Sequence, residues 1–268
     1  MLISVIIPMY NASLTIEKAI NSVISQGNKY EIEVIIVNDG STDNSLDIAY
    51  SLKNKYIDII NIVIINQSNK GVATARNVGV ASSNGEYIAF LDSDDQWLNN
   101  KINLQMDVFN KSNDIDLVAG NFQGLNVNFN KLKKLYDNIY LVTFNQLLRK
   151  HYFQPSTVIL KRDAFESVGG FKDGMTHGEE GLLFYNICFK YSCVIISKDV
   201  IQYGDDKHPY ASGNGLASNL LKMEKSELSN YYTMFKIGNI SFFRFTNLFM
   251  FSILKFFRRV LITKVLNA

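Results

Sequence analysis

The sequence is poor in the residues that several common site types need. Its 268 residues include two cysteines, Cys188 and Cys193, placed in an apolar segment without a Cys-x-x-Cys spacing. That pattern indicates neither a disulfide framework nor a thiolate metal site, and buried free thiols in a reducing compartment are expected. The three histidines, His151, His177 and His208, are scattered and do not form a zinc ligand set. A net charge of +2 makes no case for nucleic acid. With 47% hydrophobic and 19% charged residues the composition is that of a globular chain, which argues against wholesale disorder. No Asp or Glu follows Glu227, whereas Lys236, Arg244, Lys255, Arg258, Arg259 and Lys264 all do, so the tail is basic throughout. Its apolar run between Arg244 and Lys255 falls short of the roughly 20 residues a membrane-spanning helix needs. The apolar N-terminus has no charged leader or small-residue cleavage site, and Pro8 ends it early, so a strand retained in the mature protein is expected.

What is present centres on Tyr87 to Trp97, an apolar segment suited to a buried strand that ends in Asp92, Asp94 and Asp95. On an extended strand, alternate residues share a side, so Asp92 and Asp94 would converge while Ser93 faces away. Two hard oxygen donors suit Mg2+ or Mn2+, which proteins commonly hold with one or two carboxylates plus substrate phosphates. The alternative is a solvated acidic loop with Asp95 as the N-cap of a following helix.

Around this segment the chain alternates strand, polar loop and helix. Leu2 to Ile7 is a strand, and the helix after it carries the apolar stripe Leu14, Ile16, Ala19, Ile20, Val23 and Ile24 behind a cap at Asn11 or Ser13. Glu31 to Val37 and Ile59 to Ile65 are strands, and helices are expected near 44–53 and 71–80. Such repetition implies a parallel sheet with right-handed crossovers, whose ligands bind at the carboxyl ends of the strands. Every polar cluster so far falls at such an end.

Four segments, Ser4 to Asn11, Val34 to Asp43, Asn69 to Asn77 and Phe90 to Asp95, resemble in order and spacing the family 2 glycosyltransferases. The resemblance is dense over about the first hundred residues and resumes near Pro155. It implies a GT-A fold, α/β and Rossmann-like with a mainly parallel sheet flanked by helices, an inverting mechanism and a UDP-sugar donor carrying a hexosyl or N-acetylhexosaminyl group. By position, Pro8, Tyr10 and Asn11 would lie at the nucleobase, with Tyr10 stacking on it and Asp39 accepting the uracil imide proton. Asn69 and Arg76 would lie near the nucleotide, Arg76 toward its ribose or phosphates. Asp92 would face the ribose and the metal, Ser93 would belong to the donor site, and Asp94, with Asp92, would hold Mn2+ or Mg2+ at this DXD motif.

In the later half, Val168-Gly169-Gly170-Phe171 followed by Glu179-Glu180 is similar to the turn and acidic pair of the family's acceptor half. The usual pair is Glu-Asp, its second member being the base. Here Glu180 stands at that place, one methylene longer, and Glu179 is the second choice. A pair at a helix start would also be favoured by the helix dipole without any catalysis. His208 lies where family members often carry a histidine near the metal or diphosphate, although its surroundings do not match cleanly.

The expected division is 1–225 for the GT-A domain (1–98 for the nucleotide sugar, 99–225 for the acceptor) and 226–268 for a basic amphipathic helical tail. Aromatic residues with an all-basic charge set suit a helix lying on an anionic membrane. That places the protein in the cytoplasm at the inner face of the plasma membrane, with a saccharide or lipid-linked saccharide as acceptor. Packing on the domain is the alternative for the tail. Two other activities compete, a nucleotidyltransferase and a silent sugar-binding or scaffold subunit, and the first lacks the Gly-rich basic phosphate loop it would use. Oligomeric state is not specified by any feature.

Overall fold

The computed structural model describes residues 1–123, 125, 127–202 and 220–266, with side chains to residue 262. Strands β1 (Leu2–Met9), β2 (Glu31–Asp39), β3 (Asn61–Gln67) and β4 (Tyr87–Phe90) are joined by helices α1 (Ile16–Ile24), α2 (Ser45–Lys55) and α3 (Val72–Ala81). They pair in parallel in the order β3-β2-β1-β4, as their continuous β-branched runs require of strands covered on both faces.

The chain continues through β5 (Gln96–Trp97), α4 (Lys101–Lys111), β6 (Leu117–Phe122), the hairpin β7 (Lys133–Tyr136) and β8 (Ile139–Leu141), and the one-turn α5 (Phe144–Leu147). Then come β9 (Val158–Lys161), α6 (Arg162–Glu166), α7 (Glu179–Lys190), β10 (Cys193–Gln202), α8 (Leu220–Lys236) and α9 (Phe242–Leu266). Here the sheet is mixed. β9 lies antiparallel between β4 and β6, β6 and β10 are parallel, and β8 and β7 close the edge in antiparallel pairing. No full crossover helix precedes β9, so the chain enters it at the carboxyl end of β4, with Ala89 opposite Ile159 and Tyr87 opposite Lys161. The turn Pro155–Thr157 is thereby set beside the end of β4.

Alternation along the strands sorts the core into two layers. Ile6, Ile35, Val37, Ile88 and Phe90 face α3, α7 and the C-terminal helices, while Val5, Ile7, Val34, Ile36 and Ala89 face α1, α2 and α4. Gly79 lets α3 settle on β1, because a Cβ there would lie 2.4 Å from Ile6 Cγ2.

Three local expectations are corrected. Leu14 is 90% exposed because α1 begins at Ile16, two residues after it. Neither Asn11 nor Ser13 caps α1: the Asn11 side chain accepts from Thr42, and Ser13 uses its amide on Asp43. Asp95 caps no helix, since Gln96 and Trp97 form a strand against β10.

Among the described residues, no helix is long and apolar enough to cross a membrane. α8 runs through the 225/226 division expected from sequence. The basic tail is partly neutralised. Lys255 and Arg259 of α9 pair at 2.6 Å with Glu227 and Glu224 of α8. The α9 residues Leu248 and Ser252 are buried, so packing on the domain does occur.

Candidate active site

The loops after β1 and β2 are laced together. Asn11 Oδ1 accepts from the Thr42 amide at 2.8 Å, while the Ala12 and Ser13 amides donate to Ser45 Oγ at 2.7 Å and Asp43 Oδ2 at 3.0 Å. Burial works against the Asp43 charge, but hydrogen bonds from Ser45 and Ser13 outweigh it and hold the pKa near 2. Pro8 is buried at the end of β1, and the Tyr10 side chain beyond it is 51% exposed.

Asp39, buried at the end of β2, shapes the neighbouring loop. Its Oδ1 accepts from the Lys70 amide at 2.8 Å and Gln67 Nε2 at 2.7 Å, and its Oδ2 accepts from the Gly71 amide at 2.8 Å. A carboxylate offers about four acceptor positions, and three are met among the described residues. Asn69 is exposed, and its backbone lies so close to Gly40 that a Cβ there would be 2.8 Å from its nitrogen.

Gly71 is the N-cap of α3, and α3 carries Arg76 inward. Arg76 is 4% exposed, and its NH2 donates to Asp92 Oδ1 at 2.7 Å and its NH1 to Glu179 Oε1 at 3.1 Å. The guanidinium lies over the Phe171 ring, 5.1 Å from its centroid. Burial alone would lower its pKa, but Asp92 and Glu179 more than offset this and raise it. The next residue, Asn77, donates to the Phe171 carbonyl at 2.8 Å and accepts from its amide at 3.0 Å. One turn of α3 thus grips both the acidic segment and the Gly-Gly-Phe turn.

β4 ends at Phe90, and residues 92–95 form a turn closed by the Asp95 amide on the Asp92 carbonyl at 3.0 Å. The strand alternation expected to aim Asp92 and Asp94 together therefore does not extend to them. Ser156 sets the turn instead. Its hydroxyl donates to Asp95 Oδ2 at 2.6 Å and accepts from the Asp92 amide at 3.1 Å, and its carbonyl accepts from Trp97 Nε1 at 3.0 Å. Asp92, Ser93 and Asp94 are partly exposed, whereas Asp95 is buried. Among the described residues no group of three or more His, Cys, Asp and Glu could hold a metal by itself. Two carboxylates on one turn nevertheless fit a hard cation whose remaining ligands are phosphate oxygens and water.

Glu179 and Glu180 open α7 and differ in surroundings. Glu179 is buried on Arg76. Glu180 keeps a solvent edge beside Glu179; burial and then the Glu179 charge push its pKa up to about 8. Glu180 is thus more basic than an ordinary carboxyl, as a group that takes up a proton near neutral pH must be.

The family described as Glycosyl transferase family 2 matches residues 4–169, more than half of the chain. The chain belongs to this family. The Escherichia coli protein named UDP-Glc:alpha-D-GlcNAc-diphosphoundecaprenol beta-1,3-glucosyltransferase WfgD is 32% identical over 186 residues, 69% of either chain. An uncharacterized glycosyltransferase of Haemophilus influenzae is 33% identical over 167 residues, 62% of this chain and 64% of its own, so these matches span about two thirds of the relatives. The crystal structure of S. aureus TarS 1–349 in complex with UDP-GlcNAc superposes with a TM-score of 0.69 at 20% identity, covering 97% of this chain and 72% of that one. Mannosyltransferase PcManGT from Pyrobaculum calidifontis, in complex with GDP-Man and Mn2+, gives a TM-score of 0.66 at 17% identity over 87% of this chain and 64% of its own. The likeness of fold agrees with the GT-A α/β architecture expected from sequence.

Within this family 2 glycosyltransferase, Arg76, Asp92 and Glu179 are brought together directly, and Glu180 adjoins them. Arg76 is a buried hub and not a surface helix charge. Asp39 and Asn11 are engaged in loop structure, Tyr10 and Asn69 stand at the exposed rim, and His208 lies outside the described residues. Sequence reasoning missed Ser156 as the anchor of the acidic turn, although the polar entry Gln154-Pro155-Ser156-Thr157 was visible beside its strand.

Arg76→Met should leave Asp92 and Glu179 without their cation and destabilise the fold by about 3 kcal/mol. Urea unfolding measures this, and a loss below roughly 1 kcal/mol would show that solvent screens the bridge.

Proposed function

We propose that this protein transfers a hexosyl or N-acetylhexosaminyl group from a UDP-sugar to an acceptor hydroxyl, with inversion, in the synthesis of surface polysaccharide or lipid-linked oligosaccharide. The observation that carries the reading is the Arg76 bridge, which joins the acidic turn at Asp92 to the carboxyl pair at Glu179. The names of WfgD and of the UDP-GlcNAc complex of TarS support the donor and acceptor classes.

In this reading Tyr10 stacks on uracil beside Pro8, and Asp39 uses its remaining acceptor position on the imide N–H. A base without that proton would leave the buried carboxylate position unmet, which gives selection. Asn11 and Asn69 shape the rim of the nucleotide site, Ser93 and Asp92 face the ribose, and Arg76 places positive charge behind the phosphates. Asp94 and Asp92 would hold Mn2+ or Mg2+, with His208 as a further ligand, and the bound cation would supply charge to offset the departing diphosphate. Glu180, once ionised, takes the acceptor hydroxyl proton as the oxygen bonds to the anomeric carbon and UDP leaves with the bond's electron pair. Glu179, committed to Arg76, is the lesser candidate for base.

Residues 1–225 carry the transfer and 226–268 dock the protein at the cytoplasmic face of the plasma membrane. The docking surface is apolar more than basic. Phe243, Met250, Leu254, Phe257 and Leu261 project from α9 beside exposed Arg258, while Lys255 and Arg259 are held by α8.

Calorimetry should show UDP binding tightened by Mn2+ in the wild type and indifferent to Mn2+ in Asp94→Asn; indifference in the wild type would remove the cation from the reading. Because base catalysis needs ionised Glu180, kcat/KM should rise with pH through about 8. The same raised pKa stabilises the fold below the ordinary carboxyl range, and that stabilisation is lost as pH rises through about 8. A flat rate profile from pH 6 to 9, or wild-type transfer by Glu180→Gln, would refute this role. Burying a Leu or Phe is worth about 1.5–3 kcal/mol, so Leu254→Ser with Phe257→Ser should weaken sedimentation with phosphatidylglycerol vesicles at least about tenfold. Unchanged sedimentation would count against docking through α9.

A further inference from the structure

Two glycines bracket the carboxyl pair, in the order Gly178-Glu179-Glu180-Gly181, and α8 lies against both. Gly178 caps α7 in the left-handed conformation, with φ 68°. A Cβ there would come within 3.1 Å of Ser226 Cβ and 3.3 Å of Asn230 Nδ2, and one on Gly181 within 3.4 Å of the same Nδ2. Asn230 is 2% exposed, and its Nδ2 donates to the Gly178 carbonyl at 2.8 Å. Its Oδ1 is also buried and meets no donor among the described residues.

A buried acceptor without a donor weakens a fold, and an apolar side chain of similar size would avoid the loss. What the amide provides in exchange is position. By holding Gly178 it fixes the first turn of α7, and with it the placement of Glu179 and Glu180. α8 is in turn fixed from its other side, where Glu224 accepts from Ser252 Oγ at 2.7 Å and from Arg259 at 2.6 Å, and Glu227 accepts from Lys255 at 2.6 Å.

We propose that α8 is a positioning element of the acceptor site, with Asn230 as the positioning residue that sets the carboxyl pair through the Gly178 carbonyl. The inference rests on Glu180 as the base. A reacting group displaced by about 1 Å can lose roughly 10²-fold in rate. The nucleobase end of the nucleotide site, at Pro8, Tyr10 and Asp39, lies apart from this contact, and Glu179 reaches the acidic turn only through Arg76.

The test compares Asn230→Ala and the near-isosteric Asn230→Asp in the full chain, with Lys225→Ala, exposed on α8, as control. The readouts are UDP affinity by calorimetry, kcat with UDP-glucose and a short-chain GlcNAc-diphosphate lipid, and amide hydrogen exchange at 178–182. The expected result is kcat lower by about 10²-fold with a far smaller change in UDP affinity, and faster exchange at 178–182 in both Asn230 variants, with the control like wild type. Asn230→Asp keeps the side-chain volume and reports if the alanine variant fails to fold, and the exchange measurement needs no acceptor. Wild-type exchange at 178–182 in a folded variant overturns the proposal, as does a fall in kcat matched by an equal fall in UDP affinity. Wild-type transfer by Glu180→Gln would fail the base assignment. An inactive Glu180→Gln beside fully active Asn230 variants would fail the positioning alone.

Discussion

The buried guanidinium of Arg76 is the constraint on which the site depends. A charge so nearly withdrawn from water is stable only if opposite charges meet it with good geometry, and Asp92 and Glu179 do so from opposite halves of the chain. Neither carboxylate can move without exposing the other's partner. The requirement reaches outward through ordinary structure: Asp39 holds the amides that begin α3, α3 aims Arg76, and Asn77 fixes the turn that leads to α7. The acidic turn and the carboxyl pair sit together because one side chain needs both.

Much of this architecture can be read from the sequence because buried parallel strands announce themselves. Val34 to Val37 and Leu2 to Ile7 have no alternative to a covered sheet, and the polar residues after them fall at its carboxyl edge. The acidic turn is less legible. Periodicity describes a strand only while the strand lasts, and β4 stops at Phe90, so the turn that carries Asp92 and Asp94 is held by Ser156, more than 60 residues away in sequence. The burial of Arg76 was hidden for the same reason: its partners lie 16 and 103 positions away. The tail misleads a local count of charge, since the acids that neutralise Lys255 and Arg259 precede them by 28 and 35 positions, before the all-basic stretch begins. Asn230 belongs to no motif, and only its contact with Gly178 gives it meaning.

The carboxyl pair shows how adjacent residues acquire different chemistry. Glu179 meets a guanidinium, whereas Glu180 meets Glu179 and a poorly hydrated wall, and its proton is held into the neutral range. The helix dipole favours both charges alike, so the shift at Glu180 comes from its burial and from the charge of Glu179 beside it.

The entry of β9 between β4 and β6 has a consequence for how such enzymes can be recombined. Because Pro155–Thr157 sits at the end of β4, the acidic turn is made in one half of the chain and held in the other. Cut after residue 98, the first half would present β4 as a bare sheet edge, with its acidic turn lacking the hydroxyl that closes it. Exchange of acceptor halves between relatives, whether in evolution or by design, is therefore confined to partners that carry a compatible small hydroxyl residue at this seam. The seam after residue 98 is a line drawn across a single mechanical unit.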